Sequence, residues 1–353
     1  MKKILATIRA NDWWGYKIPP MLSVVYIIIQ NSQYTFFSLL PLMMIAIGAI
    51  ILCAIYVSLL NDATDIEDDA KAGKKNGMAN YSLFQQIIFI LLPLAGAVCI
   101  IGSFLNFLSL ASLFYLAAYV SFALYSLPPF RLKKRGFVGI AADALGSQVF
   151  PTLFLAICFY QWTNQKIQLL PFVFLTTWLF CFGLRGILWH QLADKENDKV
   201  SGLFTFVQKT SEAQLSRLSI AIIILEIIAF ATFIWLHALF LIIPGLILYF
   251  IYNWLLLKYC CVRQILINPK PTQYRIFLFE YYQVFLPLSL LILYAFKNPV
   301  NIIGLLLHFF LFRVNICSIL RSIKAVFKAL LQPFFSTVKK VIPPIKFLAK
   351  EHE

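Results

Sequence analysis

The sequence predicts an all-α, polytopic membrane protein with about nine transmembrane helices. Three observations lead to this prediction. Hydrophobic residues make up 61% of the chain and charged residues only 13%. Apolar runs of about twenty residues, the helix length that crosses a bilayer, recur along the chain. These runs do not alternate between apolar and polar residues. Because backbone groups in lipid must be satisfied internally, the runs indicate helices rather than barrel strands.

The spans are predicted in chain order from the uncharged runs. They lie near residues 20–35, 37–60, 83–102, 106–126, 138–160, 168–190, 214–236, 238–257 and 277–296. We assign residues 1–298 to this single membrane domain. No apolar stretch precedes Met21, so we expect no cleavable signal peptide. The seven cysteines lie within or beside the apolar runs, with no spacing typical of a zinc site or a disulfide framework.

Basic residues between the spans predict the orientation. With the N-terminus in the cytoplasm, the inward segments contain 20 of the 30 Lys and Arg residues, whereas the outward loops contain only Lys166 and Lys297. Short cytoplasmic loops of membrane proteins are enriched in positive charge. We therefore predict an integral membrane protein with a cytoplasmic N-terminus. The net charge of +15 is interpreted as a signal of topology and of anionic lipid, since no nucleic-acid-binding motif accompanies it.

The other eight basic residues lie in a C-terminal extension, residues 299–353, which is predicted to be basic and amphipathic. Nine spans would leave this extension outside the cell, against the charge trend. Two arrangements stay open. Residues 299–320 could form a tenth span, with Arg313 near one end. Alternatively, an interfacial helix lies on the outer surface. Its apolar face would carry Ile323, Val326, Phe327 and Leu330, and its basic face Lys324 and Lys328.

Two acidic stretches fall on the predicted cytoplasmic side. The first acidic stretch is "NDATDIEDD", residues 61–69, and the second is "HQLADKENDKVSG", residues 190–202. Together they contain 8 of the 15 acidic residues of the chain. One such cluster at the end of a membrane helix is commonly a solvated face. Two clusters with matched spacing on the same side favour a shared site.

The spacing within each stretch explains why a cation would bind there. If each helix continues past its apolar boundary, Asn61, Asp65 and Asp69 share one face, as do Asp194 and Asp198. Like charges one helical turn apart repel, and a counter-cation relieves that repulsion. Oxygen ligands without His or Cys partners suit Mg²⁺, which keeps several waters and often binds substrate phosphates.

A basic loop accompanies the acidic stretches on the same side. The basic loop is "YSLPPFRLKKRG", residues 125–136, and its cations are Arg131, Lys133, Lys134 and Arg135. Cations beside a magnesium site are what a diphosphate group requires.

These three motifs resemble those of the UbiA superfamily of intramembrane prenyltransferases. The first acidic stretch fits the pattern N-D-x-x-D-x-x-x-D at all four specified positions. In the second, Asp194 and Asp198 fill the last two acidic positions, while Gln191 or His190 stands where the family has a leading acid. The basic loop is similar to the family's Y-S-x-P-P-x-R-x-K loop. The likeness covers about residues 15–296.

The resemblance implies a fold, a cofactor and site residues. In that family, nine helices surround a central cavity, and the two acidic motifs hold Mg²⁺ that binds an isoprenyl diphosphate. The implied catalytic metal ligands are Asp65, Asp69, Asp194 and Asp198. The implied diphosphate-binding residues are Asn61, Asp62, Tyr125, Arg131 and Lys133. Arg185, near a helix end before the second acidic stretch, is a further candidate for the diphosphate, with snorkelling or helix pairing as its alternative role.

The function expected from this resemblance is Mg²⁺-dependent transfer of an isoprenyl group to a lipophilic or aromatic acceptor, as in quinone pathways. The active site would lie on the cytoplasmic side, with membrane lipids and not nucleic acid as surroundings. Two alternatives stay open: a terpene cyclase of the same fold, and a transporter in which the carboxylates form a cation pathway. His190 is either an acid or base near the acceptor or a structural histidine. Asp143 and Glu226, within apolar runs, should face the protein interior.

Overall fold

The computed structural model describes residues 7–202, 204–267 and 273–341. This part of the chain is almost entirely helical. The long helices are α1 (Ala10–Gln30), α2 (Phe36–Thr64), α4 (Leu83–Phe104), α5 (Leu110–Ser126), α6 (Phe137–Trp162), α7 (Leu169–Ala193), α10 (Glu212–Leu236), α11 (Ile243–Cys260), α12 (Tyr281–Lys297) and α14 (Arg313–Val341). The shorter helices are α3 (Ile66–Lys71), α8 (Lys195–Ser201), α9 (Phe206–Lys209) and α13 (Ile302–Leu311).

Irregular and non-helical elements are few in the described residues. The parallel strands β1 (Arg263–Ile265) and β2 (Tyr274–Ile276) pair in the register Arg263↔Tyr274. Single 3₁₀ turns cover Leu132–Lys134, Phe240–Ile242 and Pro299–Asn301. Helix α6 contains a π-helical segment at Leu145–Val149, and α12 begins with another at Tyr281–Phe285.

The predicted fold class is confirmed. A helix lies over each of the nine predicted spans. Among the described residues, six helices (α2, α4, α6, α7, α10 and α11) are long and apolar enough to cross a membrane, and a bent pair near the C-terminus could be a seventh. Helices α5 and α12 are apolar but shorter. The count of nine spans therefore stays a prediction.

Burial distinguishes central helices from peripheral ones. Over the most apolar 18-residue window, α6 is 72% buried and α4 only 17%. Helix α4 leaves large apolar side chains such as Phe84 and Leu92 exposed, which suits contact with lipid. Helix α1 contributes a fully buried run, Val24–Ile29, to the core. The core therefore lies around α1 and α6, while α4 lies at the periphery.

The C-terminal extension runs back along α1. At one end of α13, the Asn301 side chain accepts a hydrogen bond of 2.8 Å from the Phe36 amide, beside the α1–α2 turn. At the other end, the Trp14 indole donates to the Leu311 carbonyl, 2.9 Å away. Arg9, just before α1, lies 3.4 Å from Asp62 in the first acidic stretch. The chain thus returns to the end of the bundle that carries this stretch, which we call the acidic end.

The chain bends sharply between α13 and α14. The segment Pro299–Leu311 and the helix Arg313–Leu331 meet at 78°. The tenth span over 299–320, one of the two arrangements expected from the sequence, is therefore interrupted by this bend. An interfacial helix on the opposite surface also disagrees with the structure, because α14 starts near Trp14, at the acidic end.

Candidate functional site

The two acidic stretches line one cavity of about 320 Å³. Eight of the ten residues predicted for the site are in its lining: Asn61, Asp62, Asp65, Asp69, Tyr125, Lys133, Asp194 and Asp198. The basic loop thus reaches this cavity through Tyr125 and Lys133. Two predicted residues, Arg131 and Arg185, are not in the lining.

Both acidic stretches are built in the same way. Helix α2 ends one residue before Asp65 and α3 begins one residue after it; Asp194 stands between α7 and α8 in the same manner. The Asp69 amide donates to the Asp65 carbonyl at 2.8 Å, and the Asp198 amide donates to the Asp194 carbonyl at 2.9 Å. Each helix is therefore interrupted at its aspartate. The one-turn spacing of the carboxylates is nevertheless kept across each break.

The helices that follow the two acidic stretches, α4 and α10, also begin in the same way. Ser82 and Ser211 cap the starts of α4 and α10, and each forms a capping box with a glutamine three residues later. Each serine lies 17 residues after the aspartate at the helix break. Each acidic stretch is therefore followed by a connection of equal length that ends in the same cap.

Cations from the basic loop neutralise the first acidic stretch. Lys133 forms an ion pair with Asp65. Arg131 contacts two carboxylates, with Nη2 at 3.2 Å from Asp65 and 2.9 Å from Asp68, and also donates to the Thr64 carbonyl at 3.1 Å. Arg131 thus orients the acidic residues, while Lys133 stands in the cavity wall.

Local electrostatics differ between the cavity groups. Lys133 is only 4% exposed, and this burial lowers its pKa, against the attraction of Asp65. Burial and the negative charge of Asp194 raise the pKa of Asp198 to about 6. Burial also acts to raise the pKa of Asp194, but His190 and Lys74 outweigh it and hold that pKa below its ordinary value. The second stretch therefore resists holding two negative charges without an added cation.

The loop between α3 and α4 supports the first acidic stretch. Asn76 donates to the Asp69 carboxylate at 2.7 Å and to the Asp62 carbonyl at 2.8 Å. The Gly77 amide donates to the Asp62 carboxylate at 3.2 Å, and a Cβ on Gly77 would lie 2.7 Å from the same oxygen. The Asn-Gly pair is a turn signal, but nothing in it indicates a carboxylate partner.

Lys74 from this loop connects the two acidic stretches. Its Nζ lies 3.1 Å from the Asp194 carboxylate. Neither Lys74 nor Arg9, which pairs with Asp62, was predicted for the site, although both line the cavity. Both contacts join residues far apart in sequence, outside any periodic pattern.

The neutral residues at the missing acid position have separate roles. Gln191 is buried, and its side-chain oxygen accepts a hydrogen bond of 3.3 Å from the Val207 amide. His190 has a side chain that is 57% exposed, with Nε2 at 3.7 Å from Asp194. Both residues line the cavity.

Arg185 does not belong to this site. It is fully buried and forms two bonds to Glu226 of α10, Nε–Oε2 at 2.7 Å and Nη2–Oε1 at 3.0 Å, and two to the Phe277 carbonyl. Arg185 precedes Asp194 by nine residues, which on a helix places it on the opposite face. The diphosphate contact expected for Arg185 is therefore unsupported, and the alternative, helix pairing, is what the structure shows. Glu226 faces the interior, as predicted.

The donor set of the cavity suits a hard cation that is shared with a ligand. In the described part of the chain, no group of three or more His, Cys, Asp or Glu side chains is arranged to hold a metal ion by itself. Residues with carboxylate and amide side chains nevertheless line the cavity from both acidic stretches. Such oxygens fit Mg²⁺, which usually takes one or two carboxylates and completes its coordination with water and phosphate oxygens.

Comparison with known proteins identifies the fold. No protein-family model matches the sequence, and no curated protein matches it. Among solved structures, a UbiA homologue from Archaeoglobus fulgidus is similar, with a TM-score of 0.57 and 16% identity over 84% of this chain and 98% of that one. The same homologue bound to DMAPP and Mg²⁺ has a TM-score of 0.55 at 15% identity, with the same coverage. The chain has the UbiA fold. The resemblance predicted from three motifs is thus confirmed at the level of the fold.

A further structure of the homologue, bound to GPP and Mg²⁺, has a TM-score of 0.54 and again covers 84% of this chain.

Proposed function

We propose that this protein is a prenyltransferase, which transfers an isoprenyl group from a prenyl diphosphate to an acceptor within the membrane. One observation carries this proposal: two acidic stretches far apart in sequence meet at one cavity, with Lys133 buried in its wall. The UbiA homologue of similar fold has been solved with DMAPP and Mg²⁺ and with GPP and Mg²⁺. A shared fold and an acid-lined cavity together support the same class of substrate here.

The proposed cofactor is Mg²⁺, which Asp65, Asp69, Asp194 and Asp198 would hold directly or through water. When bound, the ion supplies positive charge that offsets the diphosphate and its departure as an anion. Asp62 has a different role in this proposal. Its carboxylate is occupied by Arg9 and by the Gly77 amide, so it fixes the loop that closes one side of the cavity.

Lys133 is the residue of the chain best placed to bind the diphosphate. Its ammonium group stands in the cavity wall and is already desolvated, so an anion that enters the cavity meets a cation with little water around it. Arg131 supports this arrangement without lining the cavity, because its guanidinium fixes Asp65 and Asp68. Asn61 and Tyr125 complete the wall; the Asn61 side-chain oxygen accepts a hydrogen bond of 3.1 Å from Ser126.

The helices place the isoprenyl chain in an apolar region. Helices α2 and α7 become uncharged within a few turns of their acidic ends, apart from the paired Arg185. A substrate with its diphosphate in the cavity would therefore extend its hydrocarbon chain toward the membrane interior. This region excludes the water that would otherwise react with an electrophilic allylic carbon.

The proposal also includes the acceptor and the side of the membrane on which the site lies. The acceptor is a lipophilic or aromatic compound, as in quinone pathways, and the exposed His190 at the cavity edge is placed to contact its polar group. The acidic end faces the cytoplasm, because the basic loop and the other basic segments lie on that side by the charge rule.

Diphosphate release from geranyl diphosphate tests this function. Purified protein is incubated with geranyl diphosphate, Mg²⁺ and lipid extracts, and products are analysed by mass spectrometry. We expect release that depends on an acceptor, with a product mass equal to acceptor plus prenyl group minus a proton. Only cyclised, acceptor-free product would indicate a cyclase instead. No release with any extract would contradict prenyl transfer and favour transport.

A further inference from the structure

Helix α14 presents an unusual surface next to the acidic end. One side of it packs against the protein through Ile316, Ile319 and Val326, which form a buried cluster with Tyr252 and Leu256 of α11. Ser322 adds a polar anchor, because the Arg275 guanidinium donates to its hydroxyl at 2.7 Å. These contacts fix the rotation of α14 about its axis. The other side of the helix is therefore held outward in a defined orientation.

The outward side combines cations with large apolar side chains. Its basic residues Arg313, Arg321, Lys324 and Lys328 are exposed. Its exposed apolar residues are Val314 (68%), Leu320 (58%), Phe327 (59%), Leu330 (45%) and Leu331 (42%). Six neighbouring residues of this side enclose a shallow surface groove: Arg313, Val314, Cys317, Leu320, Arg321 and Lys324. We call this outward side, within residues 313–331, the basic-apolar face.

Within the residues that the structure describes, no acidic side chain offsets the charge of the basic-apolar face. No acidic residue occurs in the sequence between Glu280 and Glu351. Within the described ranges, none of the four cations on this face takes part in an ion pair. A second copy of this chain, with a net charge of +15 and the same face, is a poor partner for it. A negatively charged partner is required.

The bend determines where this face points. Segment Pro299–Leu311 runs alongside α1, and α14 departs from it at 78°. Since α1 and α13 run along the helix bundle, α14 lies nearly across it. A helix in that position extends along the membrane surface rather than through the membrane. Its apolar side chains can then enter the boundary of the acyl chains while its cations stay at the level of the headgroups.

We infer that the basic-apolar face of α14 binds the anionic lipid surface of the membrane leaflet at the acidic end. The partner is a layer of negatively charged headgroups, such as phosphatidylglycerol, rather than a protein. Leu320 and Phe327 insert at the headgroup–acyl boundary, and Arg321, Lys324 and Lys328 contact the lipid phosphates. This inference does not depend on the reaction proposed above.

A fluorescent probe on Cys317 tests the inference in the full-length protein. Cys317 is exposed within the groove; Cys99, Cys260 and Cys261 are replaced by serine so that the probe reports this position. The labelled protein is placed in nanodiscs of phosphatidylcholine alone or with about 30% phosphatidylglycerol, a fraction chosen to give a strongly negative surface. We expect blue-shifted emission with the anionic lipid, and reversal of the shift at high salt because the attraction is electrostatic.

Two charge variants make the test specific. Lys324→Gln/Lys328→Gln removes two of the four cations on the face, and about half of the shift or more should be lost. The matched control Lys166→Gln/Lys297→Gln removes two exposed lysines elsewhere and should keep the full shift. Emission that is the same in both lipids, or a shift unaffected by Lys324→Gln/Lys328→Gln, would overturn the inference.

Discussion

Lys74 Nζ lies 3.1 Å from the Asp194 carboxylate, so the loop after the first acidic stretch is joined to the second. Both side chains are about one-third exposed, at 34% and 29%. An ion pair this accessible to water contributes less than about 1 kcal/mol. The contact can therefore open when a charged ligand enters, which leaves the Lys74 ammonium free to contact that ligand.

Replacement of Lys74 tests this second role. We expect Lys74→Gln to raise the KM for geranyl diphosphate about two- to fivefold, the effect of one partly exposed charge, with little change in kcat. Lys71→Gln is the control, because Lys71 is exposed and outside the cavity lining. Equal KM values for the two variants would show that Lys74 has no contact with the substrate.

Lys133 and Arg131, both in the basic loop, are expected to have different roles. Lys133→Gln removes a cation from the cavity wall and should lower kcat/KM by about 100-fold, as the loss of one buried donor to a developing anion does. Arg131→Gln disturbs Asp65 and Asp68 instead, so it should raise the Mg²⁺ concentration needed for half-maximal rate. Steady-state kinetics over a range of Mg²⁺ concentrations distinguish these two effects. Identical Mg²⁺ dependence in wild type and Arg131→Gln would refute the supporting role.

Gly77 is expected to tolerate no side chain. A Cβ there would lie 2.7 Å from an Asp62 oxygen, so Gly77→Ala should reduce the free energy of unfolding by about 1–3 kcal/mol, the usual cost of overpacking. Gly48→Ala is the control, because nothing lies within 4 Å of its added Cβ. Thermal unfolding in detergent compares the two. A melting temperature for Gly77→Ala equal to that of Gly48→Ala would contradict the close packing on Asp62.

The buried pair of Arg185 and Glu226 should matter for stability and not for substrate binding. Arg185→Leu leaves a buried carboxylate without its partner and is expected to cost about 3–5 kcal/mol. The double variant Arg185→Leu/Glu226→Leu should recover part of that loss. Measured on the folded fraction, the KM for geranyl diphosphate should stay unchanged in the double variant. A large increase in that KM would restore the diphosphate role first expected for Arg185.

Much of the cavity was predictable because its carboxylates follow a helical period. Asp65 and Asp69, like Asp194 and Asp198, are one turn apart, and the breaks at Asp65 and Asp194 keep that spacing. Arg185 is close to Asp194 in sequence, which suggests a place in the site. It lies on the opposite face of the helix, however, and so points away from the cavity.

Other features could not be predicted from local sequence. Lys74, Asn76 and Gly77 act through tertiary contacts from a loop without periodicity, which only the folded chain reveals. The bend before Arg313 lies in a stretch without proline, so hydropathy alone did not indicate it.

The central claim is that both acidic stretches jointly bind Mg²⁺ and a prenyl diphosphate. Calorimetric titration of geranyl diphosphate into the purified protein, with and without Mg²⁺, measures this directly. Four proteins are compared: wild type, Asp65→Asn, Asp194→Asn, and the control Glu67→Gln/Glu196→Gln, which changes one exposed acid in each stretch outside the cavity lining. We predict Mg²⁺-dependent binding in wild type and control, and loss of that binding in both aspartate variants. Undiminished binding in either folded aspartate variant, or binding that needs no Mg²⁺, would contradict a shared metal–diphosphate site.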